Sequence, residues 1–234
     1  MYNEVWSKID SDGDVLAAQY RFPGGTSRSL LIRLSDRSFL AYSPGKTLLE
    51  SAMQILGRDS EVILLAPSSA HSLGLDKWKG EFSNSRVVAS DAAAPRLLKR
   101  TSLEKVDDLA LLQGMLPAHM AVHVVPACSW GEVWLSIDVD GKVHWAVCDA
   151  FFNLAALPNN LLLRSLMKLG RLGPGLEISR AFRYVGINDK HRYREWAIRT
   201  FSNGRENVLI PCHGDVYDRA DSTERIVALL RKRF

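Results

Sequence analysis

Short apolar runs separated by turn residues fill the first half of the chain and predict strands with helices between them. The predicted strands cover residues 14–22, 29–34, 38–42, 62–65 and 86–89. The first strand ends in the turn Pro23-Gly24-Gly25, and the next two form a hairpin across Ser35-Asp36-Arg37. Apolar residues at helical spacing predict helices over residues 47–56, 73–82 and 95–100. Gly57 follows the first helix and closes it.

The second half of the chain repeats this alternation. Strands are predicted over residues 121–125, 131–139 and 142–147. The dipeptide Asp140-Gly141 separates the last two and is a strong hairpin signal, because both residue types tolerate the positive φ that a tight turn needs. Helices are predicted over residues 157–169, 189–202 and 221–233.

Strand-rich halves that each carry helices predict an α/β protein with a layered architecture. We expect a four-layer αββα sandwich, in which two mixed sheets pack face to face with the helices outside. A chain of 234 residues with no linker, repeat or low-complexity tract is expected to form one domain over residues 1–234.

Composition and charge narrow the classes of function. With 47% hydrophobic and 24% charged residues, the chain has an ordinary globular composition. The net charge of +4 is mild and the basic clusters are scattered, so we expect no nucleic-acid partner. No apolar run approaches the roughly 20 residues that span a bilayer, and residues 1–14 lack a signal-peptide core. The three cysteines cannot all pair within one chain, so we expect a reducing setting, cytoplasmic or organelle-stromal, with cytoplasmic as the first choice. The lack of a spanning run predicts no membrane partner.

Polar residues stand at the ends of several predicted strands. The most informative of these segments, Ala66-Pro67-Ser68-Ser69-Ala70-His71, joins a buried strand to a helix. The others are Ser43-Pro44-Gly45, Ala127-Cys128-Ser129-Trp130-Gly131, Cys148-Asp149 and Ile210-Pro211-Cys212-His213-Gly214. In order and rough spacing, these segments resemble the motifs of the metallo-β-lactamase superfamily across about residues 30–214.

The resemblance implies a hydrolase fold that has lost part of a two-metal site. In the superfamily the first turn reads His-x-His-x-Asp-His, and a later Gly-His-x-x-Gly segment adds a third ligand to the first metal. Here Ala66, Ser68 and Cys128 stand at those three histidine positions. Because methyl and hydroxymethyl groups are poor metal ligands, we expect the first metal to be absent.

The ligands of the second metal are better preserved. His71, Asp149 and His213 match its two histidines and its bridging aspartate, whereas Ala70 replaces the remaining acid. Two imidazoles and one carboxylate suffice for one zinc, iron or manganese ion with water in the open positions. Cys128 would add a thiolate if its loop bends inward. In the alternative without a metal, the two histidines donate hydrogen bonds to Asp149 and brace three loop ends.

The function implied by the resemblance has alternatives. The turn before His71, the segment Asp149-Ala150-Phe151-Phe152-Asn153 and the ending at residues 211–215 are similar to the uncharacterised DUF4336 branch. An enzyme with this site would hydrolyse an ester, an amide or a phosphoester, a small molecule held in an enclosed cleft. A second interpretation is a non-catalytic binding module, because Ala70 stands where the superfamily motif has an aspartate that takes part in proton transfer. A third is a redox or thiol role through Cys128.

The leucine-rich segment from Leu157 to Leu176 has three interpretations. Its apolar residues are separated by Arg164, Lys168 and Arg171. In full superfamily members, helices inserted after the bridging aspartate wall the substrate pocket, and we expect a helical insertion around residues 155–205. Docking of a partner helix and packing in the core explain the same pattern.

Overall fold

A computed structural model describes residues 5–22 and 24–234. Met1–Glu4 and Pro23 lie outside the described residues, and so does that part of the predicted Pro23-Gly24-Gly25 turn. The chain forms two compact units that divide between Val122 and His123. The expectation of a single domain over residues 1–234 stays a prediction.

The described residues of the first unit contain a six-stranded mixed sheet. Its strands, in sheet order and chain order, are β1 (Ser7–Lys8), β2 (Val15–Phe22), β3 (Gly25–Arg33), β4 (Ser38–Tyr42), β5 (Glu61–Leu65) and β6 (Ser85–Val88). β1 to β4 run antiparallel, whereas β4, β5 and β6 run parallel. The hairpin predicted across residues 35–37 is confirmed, with Arg33 opposite Phe39. Residues 62–65 of β5 are buried, as the continuous apolar run predicts.

Helices connect the later strands of this unit. They are α1 (Leu49–Leu56), α2 (Leu75–Glu81), α3 (Ala94–Arg100) and α4 (Leu109–Gln113). A 3-10 turn, Lys46–Leu48, leads into α1. α1 buries its apolar face in the core of the unit, where Trp78 of α2 is also fully buried. Gly57 ends α1 as predicted, since its φ of 76° turns the chain and its N–H bonds to the Met53 carbonyl.

The second sheet is also mixed. Its strands are β7 (Met120–Val124), β8 (Val133–Val139), β9 (Lys142–Leu154), β10 (Gly175–Glu177) and β11 (Asn207–Gly214). The sheet order is β10-β9-β8-β7, and β11 pairs with β9 in parallel. Asp140 and Gly141 have φ values of 52° and 79°, which confirms the predicted tight turn between β8 and β9.

Three α-helices and one π-helical turn belong to the described residues of the second unit. They are α5 (Leu161–Gly170), the π-helical turn Phe182–Gly186, α6 (Lys190–Phe201) and α7 (Ser222–Arg233). α6 begins where the Asp189 side chain accepts a hydrogen bond from the Arg192 N–H. The core of this unit is aromatic, with Trp134 packed against Trp196 and Phe201.

Two mixed sheets that carry helices confirm the predicted α/β class and its two-sheet organisation. The sequence pattern did not predict the short elements β1, β10 and α4, nor the eight-residue strand β11, and β9 extends to Leu154, beyond the predicted residues 142–147. Across residues 5–22 and 24–234, no helix combines the length and the apolar character that crossing a membrane requires.

Candidate metal centre

Two of the predicted metal ligands meet where β9 and β11 change register. Pro211 of β11 pairs with Val147, but two residues later His213 pairs with Phe152. Residues 148–151 of β9 therefore bulge opposite a single residue of β11. At this bulge His213 Nε2 lies 3.5 Å from Asp149 Oδ1, and the two side chains are only 11% and 12% exposed. The His213 ring stacks on Phe152, with centroids 4.8 Å apart, which fixes its plane.

The fully buried carboxylate of Glu132 holds the bulge in place. Its Oε1 accepts hydrogen bonds from the N–H groups of Cys148 (3.1 Å) and Ala150 (3.2 Å) and from the Trp134 indole (2.7 Å). Its Oε2 accepts from the N–H of Asp149 at 3.0 Å. A bulged strand leaves such groups without a partner strand, and buried N–H groups must be satisfied. Glu132 thereby fixes the backbone conformation of residues 148–150 and so the position of the Asp149 side chain.

Sequence reasoning missed Glu132, although one signal was available. It is a single acid directly before the apolar strand β8, at a position where a carboxylate is costly to bury unless several donors receive it. Its three backbone partners lie 16 to 18 residues away along the chain, so no local pattern identifies them.

Several ionisable side chains lie close together at the bulge. Burial, together with the negative charge of Asp149, raises the pKa of Glu132 to about 8. One carboxylate oxygen each from Glu132 and Asp149, together with the Cys148 sulfur, lie within 4.8 Å of one another. The Cys148 thiol donates to Asp149 Oδ2 at 3.7 Å, and burial raises the pKa of this thiol well above its ordinary value. Two acids at this distance favour a proton or a cation between them.

His71 lies in the first unit, in the turn between β5 and α2. Its Nδ1 is 2.8 Å from the Ser43 hydroxyl, and its backbone N–H donates to the Ser68 carbonyl at 3.2 Å. A hydrogen bond to one ring nitrogen is how metal-binding histidines are oriented by their surroundings. The turn is tightly fitted, because a Cβ on Gly74 would lie 2.0 Å from the Pro44 carbonyl oxygen. The segment Ser43-Pro44-Gly45 therefore supports His71, although it lacks an acid.

Positions 66, 68 and 70, where the resemblance places metal ligands, carry no imidazole or carboxylate. Ala66 is buried in the core of the first unit. The Ser68 hydroxyl is buried and accepts a hydrogen bond from the Ala70 N–H at 3.2 Å, so it shapes the turn. Ala70 itself is exposed.

Cys128 is buried in the second unit, and its backbone pairs with Ile187. Burial raises its pKa to about 12, and the negative charge of Glu132 contributes to this rise. A thiol must lose its proton to bind a metal, so this environment opposes ligation. Within the described ranges, no group of neighbouring ligand-bearing side chains includes Cys128.

Solved structures share the fold of this chain. A metallo-β-lactamase from Pontibacter korlensis is 14% identical with a TM-score of 0.62, and the alignment covers 97% of this chain and 98% of that one. The metallo-β-lactamase FIM-1 from Pseudomonas aeruginosa, in its mono-zinc form, is 9% identical with a TM-score of 0.63, covering 97% and 95%. The metal-soaked Flv1 flavodiiron core from Synechocystis sp. PCC6803 is 13% identical with a TM-score of 0.62, covering 97% and 60%.

These likenesses establish a metallo-β-lactamase-like fold, which confirms the fold predicted from the sequence. Identities of 9–14% show the fold alone and carry no activity with them. A scan against protein-family models finds no match, and a search of curated proteins finds no significant one. The narrower likeness to the DUF4336 branch therefore stays a prediction.

Proposed function

We propose that this chain is a metallo-β-lactamase-fold protein whose reduced site binds at most one divalent metal ion. Asp149 and His213 would hold the ion, and the sequence pattern adds His71 as a third ligand. The observation that carries the proposal is the 3.5 Å approach of the Asp149 carboxylate to the His213 imidazole at the β9 bulge. Carboxylate and imidazole donors suit zinc, iron and manganese.

The electrostatics of the bulge support a cation. Glu132 and Asp149 place two carboxylates within 4.8 Å of each other in a buried setting, which costs free energy unless positive charge or a proton compensates. A divalent ion on Asp149 would compensate both. Glu132 itself is a poor ligand, because its oxygens already accept four N–H hydrogen bonds.

The restriction to one ion follows from the residues at the lost positions. Ala66 and Ser68 are buried and committed to the core and to the turn, and Ala70 carries only a methyl group. A first metal site would need two imidazoles where these side chains stand. We therefore infer a degenerate superfamily member, of the kind that the DUF4336-type resemblance implies.

The expected chemistry is hydrolysis of an ester, an amide or a phosphoester in a small molecule bound in a cleft. A bound zinc, iron or manganese ion would lower the pKa of a coordinated water towards about 7 and polarise a substrate oxygen. The protein's own contribution is to hold Asp149 through the Glu132 hydrogen bonds and His213 through its stacking on Phe152. Glu132 does not serve as a general base, because it is fully buried and its oxygens are occupied.

A second candidate is a non-catalytic module that binds a ligand without turning it over. The burial of Glu132 favours this candidate, since this acid lies within 4.8 Å of Asp149 but is fully buried and does not reach a substrate to exchange protons with it. In this case Asp149 and His213 bind a metal or brace the bulge, and activity screens stay blank.

Metal content measured by mass spectrometry and titration of the chelator-treated protein with zinc, manganese and ferrous iron test the proposal. Asp149→Asn, His213→Ala and His71→Ala should each weaken binding by more than about 100-fold, because loss of a ligand exceeds the 10–100-fold that outer partners cost. His119→Ala is the matched control, since His119 is exposed and outside the predicted site.

Near-zero metal content together with no binding in titration overturns the proposal. Binding that survives His71→Ala but not His213→Ala removes His71 from the site and keeps the Asp149–His213 pair. If metal binds as proposed, a screen of esters, amides and phosphodiesters then separates the hydrolase from the binding module.

A further inference from the structure

Helix α5 exposes an unusual amount of apolar surface. Five of its leucines are between 47% and 77% exposed: Leu161, Leu162, Leu163, Leu166 and Leu169. None of its residues is fully buried, whereas α6 buries Tyr193 and Phe201, and α7 buries Ile226 and Leu230. Core packing, one of the interpretations of this leucine-rich segment, is therefore wrong for α5. An exposed apolar patch of this kind marks a binding surface.

The apolar residues of α5 are spread widely around its axis. At about 100° per residue, the positions from Leu161 to Leu169 place leucine and methionine over roughly 240° of the helix circumference. Arg164 and Lys168 occupy the remaining arc. A helix that packs into a core or a groove needs a stripe of only about 100°. The broad apolar surface of α5 suits immersion at a lipid boundary, where no complementary groove is required.

The charge around α5 has a single sign. Between Asp149 and Glu177 the sequence contains no acidic residue, while Arg164, Lys168 and Arg171 supply three cations. Arg171 caps the last turn of α5 in a left-handed conformation, so it stands at the end of the same helix. A partner that satisfies both features must combine apolar contact with negative charge.

We propose that α5 docks this protein on the surface of a membrane that contains anionic lipid. Its leucines enter the boundary between head groups and acyl chains, and Arg164 and Lys168 reach the lipid phosphates with their long side chains. This differs from the expectation of no membrane partner, which rested on the lack of a spanning segment. A surface helix needs no such segment.

A second copy of this chain is the competing occupant. Self-association through α5 would cover a stripe of only about 100° on each helix and leave the rest of the apolar arc in water. It would also leave the three cations of each copy without an acid in the same segment to balance them. An anionic bilayer covers the whole apolar arc and supplies the negative charge.

Flotation with vesicles tests the proposal on the full chain. Vesicles of phosphatidylcholine alone are compared with vesicles that also contain phosphatidylglycerol, at low and high salt. Arg164→Gln/Lys168→Gln should lower the partition coefficient on anionic vesicles by about thirtyfold, from about fivefold per cation near the surface. The matched control is Arg231→Gln/Lys232→Gln, which removes two exposed cations from the end of α7.

Leu162→Ser/Leu166→Ser/Leu169→Ser should abolish binding, while Leu98→Ser on α3, also an exposed leucine, should leave it unchanged. Circular dichroism melts establish that each variant is folded. Absence of binding to anionic vesicles at low salt overturns the proposal, as does binding that all α5 variants retain. Sedimentation that shows a dimer broken by the leucine variants also overturns it, in favour of a second copy. None of these outcomes depends on metal binding.

Discussion

Replacing Glu132 by alanine should remove most of the stability of this protein. The carboxylate accepts four buried N–H hydrogen bonds, three from the β9 backbone and one from the Trp134 indole. Each donor left unsatisfied costs about 1–3 kcal/mol, or roughly 4–12 kcal/mol for all four. The net stability of a folded protein is only about 5–15 kcal/mol.

Glu132→Gln separates the loss of a hydrogen bond from the loss of the side chain. Glutamine keeps one oxygen for the three donors at Oε1, but turns an amide nitrogen towards the Asp149 N–H. One lost bond predicts a destabilisation of about 1–3 kcal/mol, and each kcal/mol lowers the Tm by roughly 2–4 °C in a chain of this size.

Urea denaturation followed by tryptophan fluorescence measures both variants, with Glu224→Gln as the control because Glu224 is exposed. If Glu132→Ala unfolds within about 1 kcal/mol of the unmodified protein, the carboxylate is not what holds the bulge. A Glu132→Gln variant that folds but binds zinc more weakly would show that the bulge positions Asp149.

Two further predictions concern protonation. Because burial raises the pKa of Glu132 from 4.5 to about 8, the folded metal-free protein binds this proton more tightly than the unfolded chain. The resulting stability is complete below the unfolded pKa and is lost as the pH rises through about 8, with a slope of up to about 1.4 kcal/mol per pH unit. Urea denaturation at several pH values, with a chelator present, should show this slope in the free energy of unfolding, and Glu132→Gln should flatten it. If the unmodified protein and Glu132→Gln lose stability with pH in parallel, Glu132 is not the group that titrates. Cys128 has a pKa of about 12, so at pH 8 it should react with iodoacetamide far more slowly in the folded protein than in urea. Rapid alkylation of Cys128 in the folded protein would favour the redox or thiol role instead.

Several long elements were predictable because their periodicity extends over several residues, whereas β11 is buried along its whole length and shows no alternation. α1 was recognised from its apolar spacing and from Gly57, and the β8–β9 hairpin from Asp140-Gly141. β1, β10 and α4 have two to five residues, too few for a period to emerge. α5 begins at Leu161 rather than at residue 157, because the Asn160 side chain caps it by accepting the Leu163 N–H.

The Asp149–His213 pair of the candidate site was predictable from the sequence, whereas the groups that support it were not. Asp149 and His213 stand at strand ends in motif order, and the parallel pairing of β9 and β11 brings them together. The hydrogen bonds of Glu132 depend on a bulge that arises only when β9 pairs with its neighbours. The exposure of the α5 leucines was also not predictable, because periodicity identifies an apolar face of a helix but does not show whether another part of the protein covers it.

The bulge in β9 has a consequence for how such a site changes during evolution. Its backbone is held by Glu132 through main-chain N–H groups, and these three hydrogen bonds do not depend on which side chain stands at position 149. Selection could therefore alter or discard a metal ligand there while the strand keeps its course. A fold whose strand conformation and candidate ligands are held by different groups can change a ligand without losing its structure.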